Sequence, residues 1–192
     1  MRKLLLVLVA AVFSAMLAAC GSGGDGSLAP KSLGFTPQEI KENLSKGDLG
    51  VHLPESRFEK DKDGNDVFTF SYNPTGIFVG GVVDSTGRVH TLMASIPWPA
   101  VSLVSNQQMA ATMSGILRAT NPELAAARAD QMVAQMWNEL PQTSGANPNE
   151  FVLDGKVYAS FLQPFQGQMR AYFGVCVIGV EGCKVPEANT GQ

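Results

Sequence analysis

Histidine, the most frequent general acid or base of enzymes, occurs only twice in this sequence. The two histidines are His52, in a predicted loop before Pro54, and His90, in a predicted strand. An imidazole can act as a general acid or base, but neither histidine lies in an H-E-x-x-H zinc motif. The G-x-S-x-G and S-x-x-K motifs of serine nucleophiles are also missing from the sequence. We therefore predict no catalytic residues, no cofactor and two ordinary structural or surface histidines.

One acidic run has the residue types that ligate calcium. Within it, Asp61, Asp63 and Asn65 resemble positions one, three and five of an EF-hand loop. Position six of that loop requires glycine and is Asp66 here, while position twelve requires a bidentate glutamate and is Tyr72. The flanks are also strand-like rather than helical. We favour a solvated hairpin turn, with no metal site, and keep a weak calcium site as the alternative.

The first of the three cysteines, Cys20, follows a segment with the pattern of an export signal. Two positive residues and a short apolar run from Leu4 to Ala19 precede it, and the run is shorter than the ~20 residues a spanning helix needs. Its end, Leu17-Ala18-Ala19-Cys20, resembles the lipobox of bacterial lipoproteins. The resemblance implies cleavage before Cys20, acylation of its thiol and new amino group with chains such as palmitate, and membrane anchoring. The alternatives are a plain secreted protein and a retained anchor helix.

These segments predict the domain organisation. Residues 1–19 are the lipoprotein signal peptide, residues 20–32 are the lipidated N-terminus with a flexible Gly/Ser-rich tether, and residues 33–192 are one folded domain. In a Gram-negative cell, Gly21 after the lipidated cysteine implies the outer membrane by resemblance, with the protein facing the periplasm. We therefore expect a lipid-anchored protein of the cell envelope.

The other two cysteines, Cys176 and Cys183, are predicted to form a disulfide. Export implies an oxidising compartment, and the lipidation of Cys20 leaves this pair. Gly182 and the residues between the two cysteines favour a tight return of the chain. Free thiols or a metal pair are the alternatives, although the spacing lacks a C-x-x-C and no histidine is nearby.

Composition narrows the class of partner. The net charge is −3, and cleavage would also remove the positive Arg2 and Lys3. The negative net charge and the lack of a basic patch in the sequence argue against binding to nucleic acid. No second apolar stretch is long enough to span a membrane.

Start signals predict three helices. A capping box of Thr36 and Glu39 with Pro37 between them predicts a helix over residues 37–45. A second helix is predicted to be capped by Ser105, and a third to open at Asn121 with a proline in its first turn.

Alternating and β-branched patterns predict the strands. They cover residues 57–60, 67–72, 77–83, 88–96, the arms of a hairpin around Asp154-Gly155, and residues 169–178. Gly80-Gly81 inside a strand predicts a bulge or a close backbone approach. Because strands and helices cluster rather than alternate, we predict an α+β fold: an antiparallel sheet of about five to six strands with three helices mainly on one face.

The functional hypotheses follow from the anchor. The first is a non-enzymatic envelope lipoprotein that binds a protein partner, with Trp98, between two prolines, as a candidate anchor residue. Trp98 could equally fill one end of the core. The alternatives are a small-ligand or weak calcium binder and, less favoured, an enzyme acting on the cell wall.

Overall fold

The computed structural model describes residues 32–45, 57–60, 65–72, 76–99, 103–180 and 183. These residues form one seven-stranded antiparallel sheet with three α-helices, which confirms the α+β prediction. The predicted signal peptide, the lipobox with Cys20, most of the tether, His52, Asp61 and Asp63 lie outside the described residues.

The elements follow one another in the predicted order. They are α1 (Pro37–Ser45), β1 (Arg57–Lys60), β2 (Asp66–Tyr72), β3 (Ile77–Val83), β4 (Val89–Pro97), α2 (Leu103–Thr120), α3 (Ala126–Glu139), a 3₁₀ turn (Leu140–Gln142), β5 (Asn149–Leu153), β6 (Lys156–Phe165) and β7 (Gln168–Val177). The strand order across the sheet is β1-β2-β3-β4-β7-β6-β5.

The prediction of about five to six strands was too low. The two strands at the sheet edges, β1 and β5, are four and five residues long. Both had been predicted as strands, β1 as residues 57–60 and β5 as one arm of the Asp154-Gly155 hairpin, so the total was too low although no strand was missed. Conversely, β6 is ten residues long and continues to Phe165, because its second half pairs with the beginning of β7.

The start of α1 follows the local sequence signal. The backbone N–H of Thr36 donates to the Glu39 carboxylate at 2.7 Å, and the N–H of Glu39 donates to the Thr36 hydroxyl at 3.3 Å. This is the reciprocal capping box that the sequence predicts. The Thr36 N–H also lowers the pKa of Glu39.

The predicted starts of the other two helices were wrong. Helix α2 begins at Leu103, so Ser105 lies inside it rather than capping it. Helix α3 begins at Ala126 after Ala125, which makes no side-chain capping bond. Asn121 instead turns back and donates from Nδ2 to the carbonyl of Leu117, near the end of α2. Asn121 therefore binds the C-terminal end of α2 instead of starting α3 as predicted.

All three helices bury side chains against one side of the sheet, here called the first face. The main core cluster contains residues of α1, α2 and α3 together with strand residues such as Phe68, Leu92 and Phe173. The buried helix residues in it are Ile40, Leu44, Met109, Met113, Ile116, Leu117, Ala129, Val133 and Met136. The Met-rich stripes of the paired helices thus serve as core.

The opposite side, here called the second face, has its own apolar cluster. It consists of Val67, Val82, Met93, Phe161 and Tyr172, one residue from each of β2, β3, β4, β6 and β7. Phe161 and Tyr172 stack with ring centroids 5.1 Å apart. Every described member of this cluster, including the partly buried Phe78 and Phe165, is a strand residue.

Gly81 allows β2, β3 and β4 to approach closely on the first face. A Cβ atom there would overlap the Thr91 carbonyl oxygen and the ring of Phe68. The predicted close backbone approach is therefore confirmed. The pairing register shifts directly after it, because Val82 pairs with Thr91 and Val83 with Val89, which leaves His90 as an extra residue in β4.

Candidate functional site

A buried polar cluster joins the end of α2 to β6. Its members are Thr120 and Asn121, at the α2–α3 junction, and Tyr158 and Lys156, both on the first face of β6. The Tyr158 ring stacks on Phe151 of the edge strand, with centroids 5.0 Å apart and planes 9° from parallel. The sequence analysis did not single out any of these contacts.

The hydrogens in this cluster have one consistent arrangement. The Thr120 hydroxyl donates to the carbonyl of Ile116 at 2.7 Å, so it must accept from the Tyr158 hydroxyl, 2.5 Å away. The Tyr158 oxygen in turn accepts from Asn121 Nδ2 at 2.6 Å. Lys156 Nζ donates to Asn121 Oδ1 at 3.3 Å. Each side-chain donor therefore has an acceptor, and the carbonyls at the end of α2 are satisfied.

Burial governs the charge states in this cluster. It raises the pKa of Tyr158, although the hydrogen bonds with Thr120 and Asn121 oppose the rise, so the phenol is neutral at physiological pH. Partial burial lowers the pKa of Lys156, and the Asp154 carboxylate opposes that shift. The cluster thus presents a neutral phenol with one cation at its edge.

The cluster is closed to substrates. Tyr158 is 0% exposed, and both Thr120 and Asn121 are 3% exposed. Lys156 is the member that reaches solvent, and its ammonium group donates to two carbonyl oxygens, those of the Asn121 side chain and the Asp154 backbone. We interpret this group, called the Tyr158 junction below, as a structural joint between helix and sheet.

His90 is held in the β4 bulge. Its ring Nδ1 lies 3.0 Å from the Thr91 hydroxyl, and the side chain is half-buried. Burial lowers the pKa of His90, while the Asp84 carboxylate opposes the shift. Among the described residues, no three His, Cys, Asp or Glu side chains are grouped so as to hold a metal ion. His90 therefore stands apart from any such set in that part of the chain.

The two strands on either side of the acidic run, β1 and β2, pair antiparallel. Lys60 and Asp66 pair across β1 and β2, and Lys60 Nζ lies 2.6 Å from Asp66 Oδ1 in an exposed ion pair. Strands therefore flank the loop, whereas an EF-hand loop joins two helices. Asn65 is exposed beside this pair, while Asp61 and Asp63 fall outside the described residues.

The predicted disulfide is confirmed. Cys176 of β7 is bonded to Cys183, with Cα atoms 5.7 Å apart and a sequence separation of seven. A turn between them places the Cys183 N–H in a hydrogen bond to the Val180 carbonyl at 2.9 Å. The bond fastens the chain after β7 back onto the sheet.

Trp98 lies at one end of the sheet, beside the second tryptophan of the chain. Its ring centroid is 5.4 Å from that of Trp137 of α3, in an edge-to-face arrangement with the planes at 67°. Both indoles are half-buried and pack against the first-face core. Trp98 thus closes one end of the core while part of its ring remains exposed.

Neighbouring strands extend this apolar area. The Trp98 N–H donates to the Met169 carbonyl at 2.8 Å, and Met169 pairs with Pro164 on β6. Met169 is 41% exposed, and Pro99 and Pro164 are exposed. Trp98, Pro99, Trp137, Pro164 and Met169 are called the tryptophan surface below.

No charged side chain occurs in the segments that carry this surface. Residues 97–99, 134–138 and 162–169 contain apolar residues, glutamine, asparagine and glycine only. The nearest acid in sequence, Glu139, accepts hydrogen bonds from Gln135 and Asn149. Exposed aromatic and methionine side chains without charge are typical of the centre of a protein–protein interface.

Two other large apolar side chains are exposed, but each is isolated. Phe58 is 57% exposed on β1 and Val152 is 46% exposed on β5, so they lie at opposite edges of the sheet. Single exposed apolar residues are normal on protein surfaces. They serve below as controls.

None of the described helices is long and apolar enough to cross a membrane. No protein-family profile, curated protein or solved structure matches the chain. The assignment of function therefore depends on the geometry of the chain itself.

Proposed function

We propose that this protein is a lipid-anchored lipoprotein of the bacterial cell envelope that acts as a non-enzymatic binding module. In this proposal, the tryptophan surface binds a partner protein. The observation that carries it is the half-exposed pair of Trp98 and Trp137, next to the exposed Met169, on segments without charge. Tryptophan supplies a large rigid contact area and dominates many interfaces.

The position of the surface supports this role. It lies at the end of a sheet whose strands are fixed by continuous pairing across β4, β7 and β6. A rigid platform lowers the entropy cost of binding, since few side chains need ordering. Anchoring through Cys20 would hold this platform near the membrane on a Gly/Ser-rich tether.

Photo-crosslinking in cells tests the binding surface. The photoreactive residue p-benzoylphenylalanine is placed at Met169 in one strain and at the exposed Val152 in another. We expect a discrete adduct with one protein from Met169 and none from Val152. Adding Trp98→Ala to the Met169 strain should reduce the adduct by at least about tenfold, a loss of 1.4 kcal/mol or more in binding.

Two results would overturn the binding surface. One is equal labelling from Met169 and Val152, and the other is an adduct that persists unchanged in the Trp98→Ala strain. Phe58→Ala provides the matched control, because it removes an exposed aromatic ring at the far edge of the sheet. It should leave the Met169 adduct intact.

Metabolic labelling tests the anchor separately. Cells fed labelled palmitate should label the wild-type protein but not the Cys20→Ser variant, which should also remain uncleaved. Equal labelling of the two would contradict lipidation at this residue, independently of the tryptophan surface.

A further inference from the structure

Met169 is the most exposed methionine among the residues that the structure describes. It is 41% exposed. Met132 is half-buried and packs against the first-face core. The other four described methionines are buried, each with 1–2% of its area exposed: Met93, Met109, Met113 and Met136. Met169 is therefore the described thioether that is most open to small solutes.

The strands hold Met169 in the middle of the tryptophan surface. Its carbonyl accepts from the Trp98 N–H at 2.8 Å, and on its other side it pairs with Pro164 of β6. Ala171, two positions farther along β7, belongs to the first-face core. Because side chains alternate along a strand, Met169 lies on that face too, where Trp98 and Trp137 pack. A change in the polarity of its side chain would therefore fall at the centre of the proposed interface.

A thioether reacts with hydrogen peroxide by a two-electron oxidation. The sulfur lone pair attacks one peroxide oxygen, an S–O bond forms and the O–O bond breaks. The other oxygen takes the proton of the first and leaves as water. The sulfur loses two electrons and becomes a sulfoxide, while the peroxide gains them. The rate depends on exposure, because the peroxide must reach the sulfur from solvent.

The cysteines of the described part do not compete with Met169 for the oxidant. Thiolates are the reactive form of cysteine, but Cys176 and Cys183 are joined in a disulfide, so neither offers a thiol. The third cysteine of the chain, Cys20, is the residue that we propose to be acylated. Met169 is thus the sulfur that a peroxide reaches most readily in the described part of the folded chain.

Oxidation changes what the side chain contributes to an interface. A methionine supplies apolar area and adaptable packing, whereas its sulfoxide is polar and chiral and disrupts interfaces that contain methionine. Burying the new oxygen against a partner without a hydrogen-bond donor also costs free energy. Sulfoxide reductases restore the thioether, so the change is reversible.

We propose that Met169 is a peroxide-sensitive modification site, and that its conversion to the sulfoxide releases the partner protein from the tryptophan surface. The inference deepens the proposed function and rests on it, because the sulfoxide forms within the same binding surface. The partner is bound while the thioether is intact and is released after oxidation. Met169 thus makes the occupancy of this surface depend on the peroxide level around the protein.

Treatment of the purified full-length protein with hydrogen peroxide tests the modification site without a partner. Digestion and tandem mass spectrometry measure the rate of sulfoxide formation at each methionine. We expect Met169 to react at least about fivefold faster than Met132 or any buried methionine, because exposure controls the rate. In concentrated urea, where burial is lost, the rates should become similar. Equal rates at Met169 and Met132 in the folded protein would overturn the site.

Photo-crosslinking in cells tests the release of the partner. With p-benzoylphenylalanine at Pro164, the adduct with the partner should decrease at least about fivefold after peroxide treatment, because the sulfoxide disrupts the interface. Met169→Leu keeps an apolar side chain of similar volume, so it should retain its adduct under the same treatment. Met132→Leu is the matched control and should lose the adduct as the wild type does.

The outcomes separate the release from the binding itself. An adduct that persists in peroxide-treated wild-type cells overturns the release but leaves binding at the tryptophan surface intact. A loss that occurs equally in the Met169→Leu strain overturns Met169 as its cause. No adduct before peroxide treatment contradicts the proposed function and the release together, whereas the oxidation rates of the purified protein are measured independently of both.

Discussion

The Tyr158 junction and the tryptophan surface are both places where the paired helices meet the sheet, but they are built in opposite ways. At the junction, polar side chains are almost completely buried and each donor has an acceptor. At the tryptophan surface, apolar side chains are partly exposed, and the segments that carry them, residues 97–99, 134–138 and 162–169, contain no charged residue. The first is closed by hydrogen bonds, while the second leaves apolar area uncovered.

If the tryptophan surface binds a partner as proposed, the reactive groups of this protein do not mark its functional surface. The phenol, amide, hydroxyl and amine of the junction form a set that could be taken for catalytic residues, yet no substrate reaches Tyr158. Their arrangement satisfies the carbonyls at the end of α2. The residues suited to recognition are instead indoles, prolines and a methionine.

The largest effect is expected from Tyr158→Phe, which removes one oxygen from the junction. The Asn121 amide would lose its shortest hydrogen bond while keeping the one to the Leu117 carbonyl, and the Thr120 hydroxyl would lose the hydrogen bond from Tyr158, both in a buried site. Leaving such groups unsatisfied costs about 1–3 kcal/mol. Urea unfolding followed by circular dichroism should show this decrease in the free energy of unfolding.

Tyr172→Phe is the matched control for that substitution. Tyr172 is also buried, but its hydroxyl has no hydrogen-bond partner among the residues that the structure describes. We expect a change within about 0.5 kcal/mol. If both variants lost equal stability, the ring environment rather than the hydrogen-bond chain would determine the effect, and the contrast between the two regions would fail.

A smaller effect is expected at the tryptophan surface. A double-mutant cycle with Trp98→Ala and Trp137→Ala measures the coupling between the two rings. Aromatic pairs in this geometry contribute about 0.5–1.5 kcal/mol beyond the area they bury. A coupling near zero would mean that each indole packs on the core independently, and that the pair is not one rigid element of the surface.

The smallest effect is expected at His90, whose side chain is half-buried. Its lowered pKa means that the folded protein binds a proton less readily than the unfolded chain. The free energy of unfolding is therefore highest above the pKa of histidine in the unfolded chain, near 6.5. It decreases as the pH falls from there through the lower pKa of His90 in the folded protein. His90→Gln should flatten this acid-side decrease in unfolding free energy, measured between about pH 7.5 and pH 5. An unchanged slope would contradict it.

Local signals in the sequence predicted local structure well. The capping box of Thr36 and Glu39 needs contacts only three residues apart, and it forms as expected. The Asp154-Gly155 hairpin also forms, with φ values of 48° and 70° that suit these residue types. The disulfide was predicted from the two cysteines that remain if Cys20 is lipidated, together with the oxidising compartment that the predicted export signal implies.

Contacts distant in sequence could not be predicted in the same way. Asn121 followed by Pro122 has the local signature of a helix start, but Tyr158, 37 positions later, is the partner of its amide. That contact depends on the register of β6 and on where α2 ends. Likewise, Trp98 and Met169 become neighbours only because β4 pairs with β7, which no local pattern of residues specifies.

The pairing of β4 with β7 also determines the order in which the sheet can be completed. The strands before the helical pair form one meander and those after it form another, and the seam between them joins Thr91–Pro97 to residues 170–176. β7 is the last of the described strands, so the seven-residue edge of β4 that it pairs with stays without this partner until residues 168–177 are available. An unpaired apolar edge is a template for aggregation. A chain with this topology therefore depends on late closure of a long-range seam, and its folding is expected to be slow.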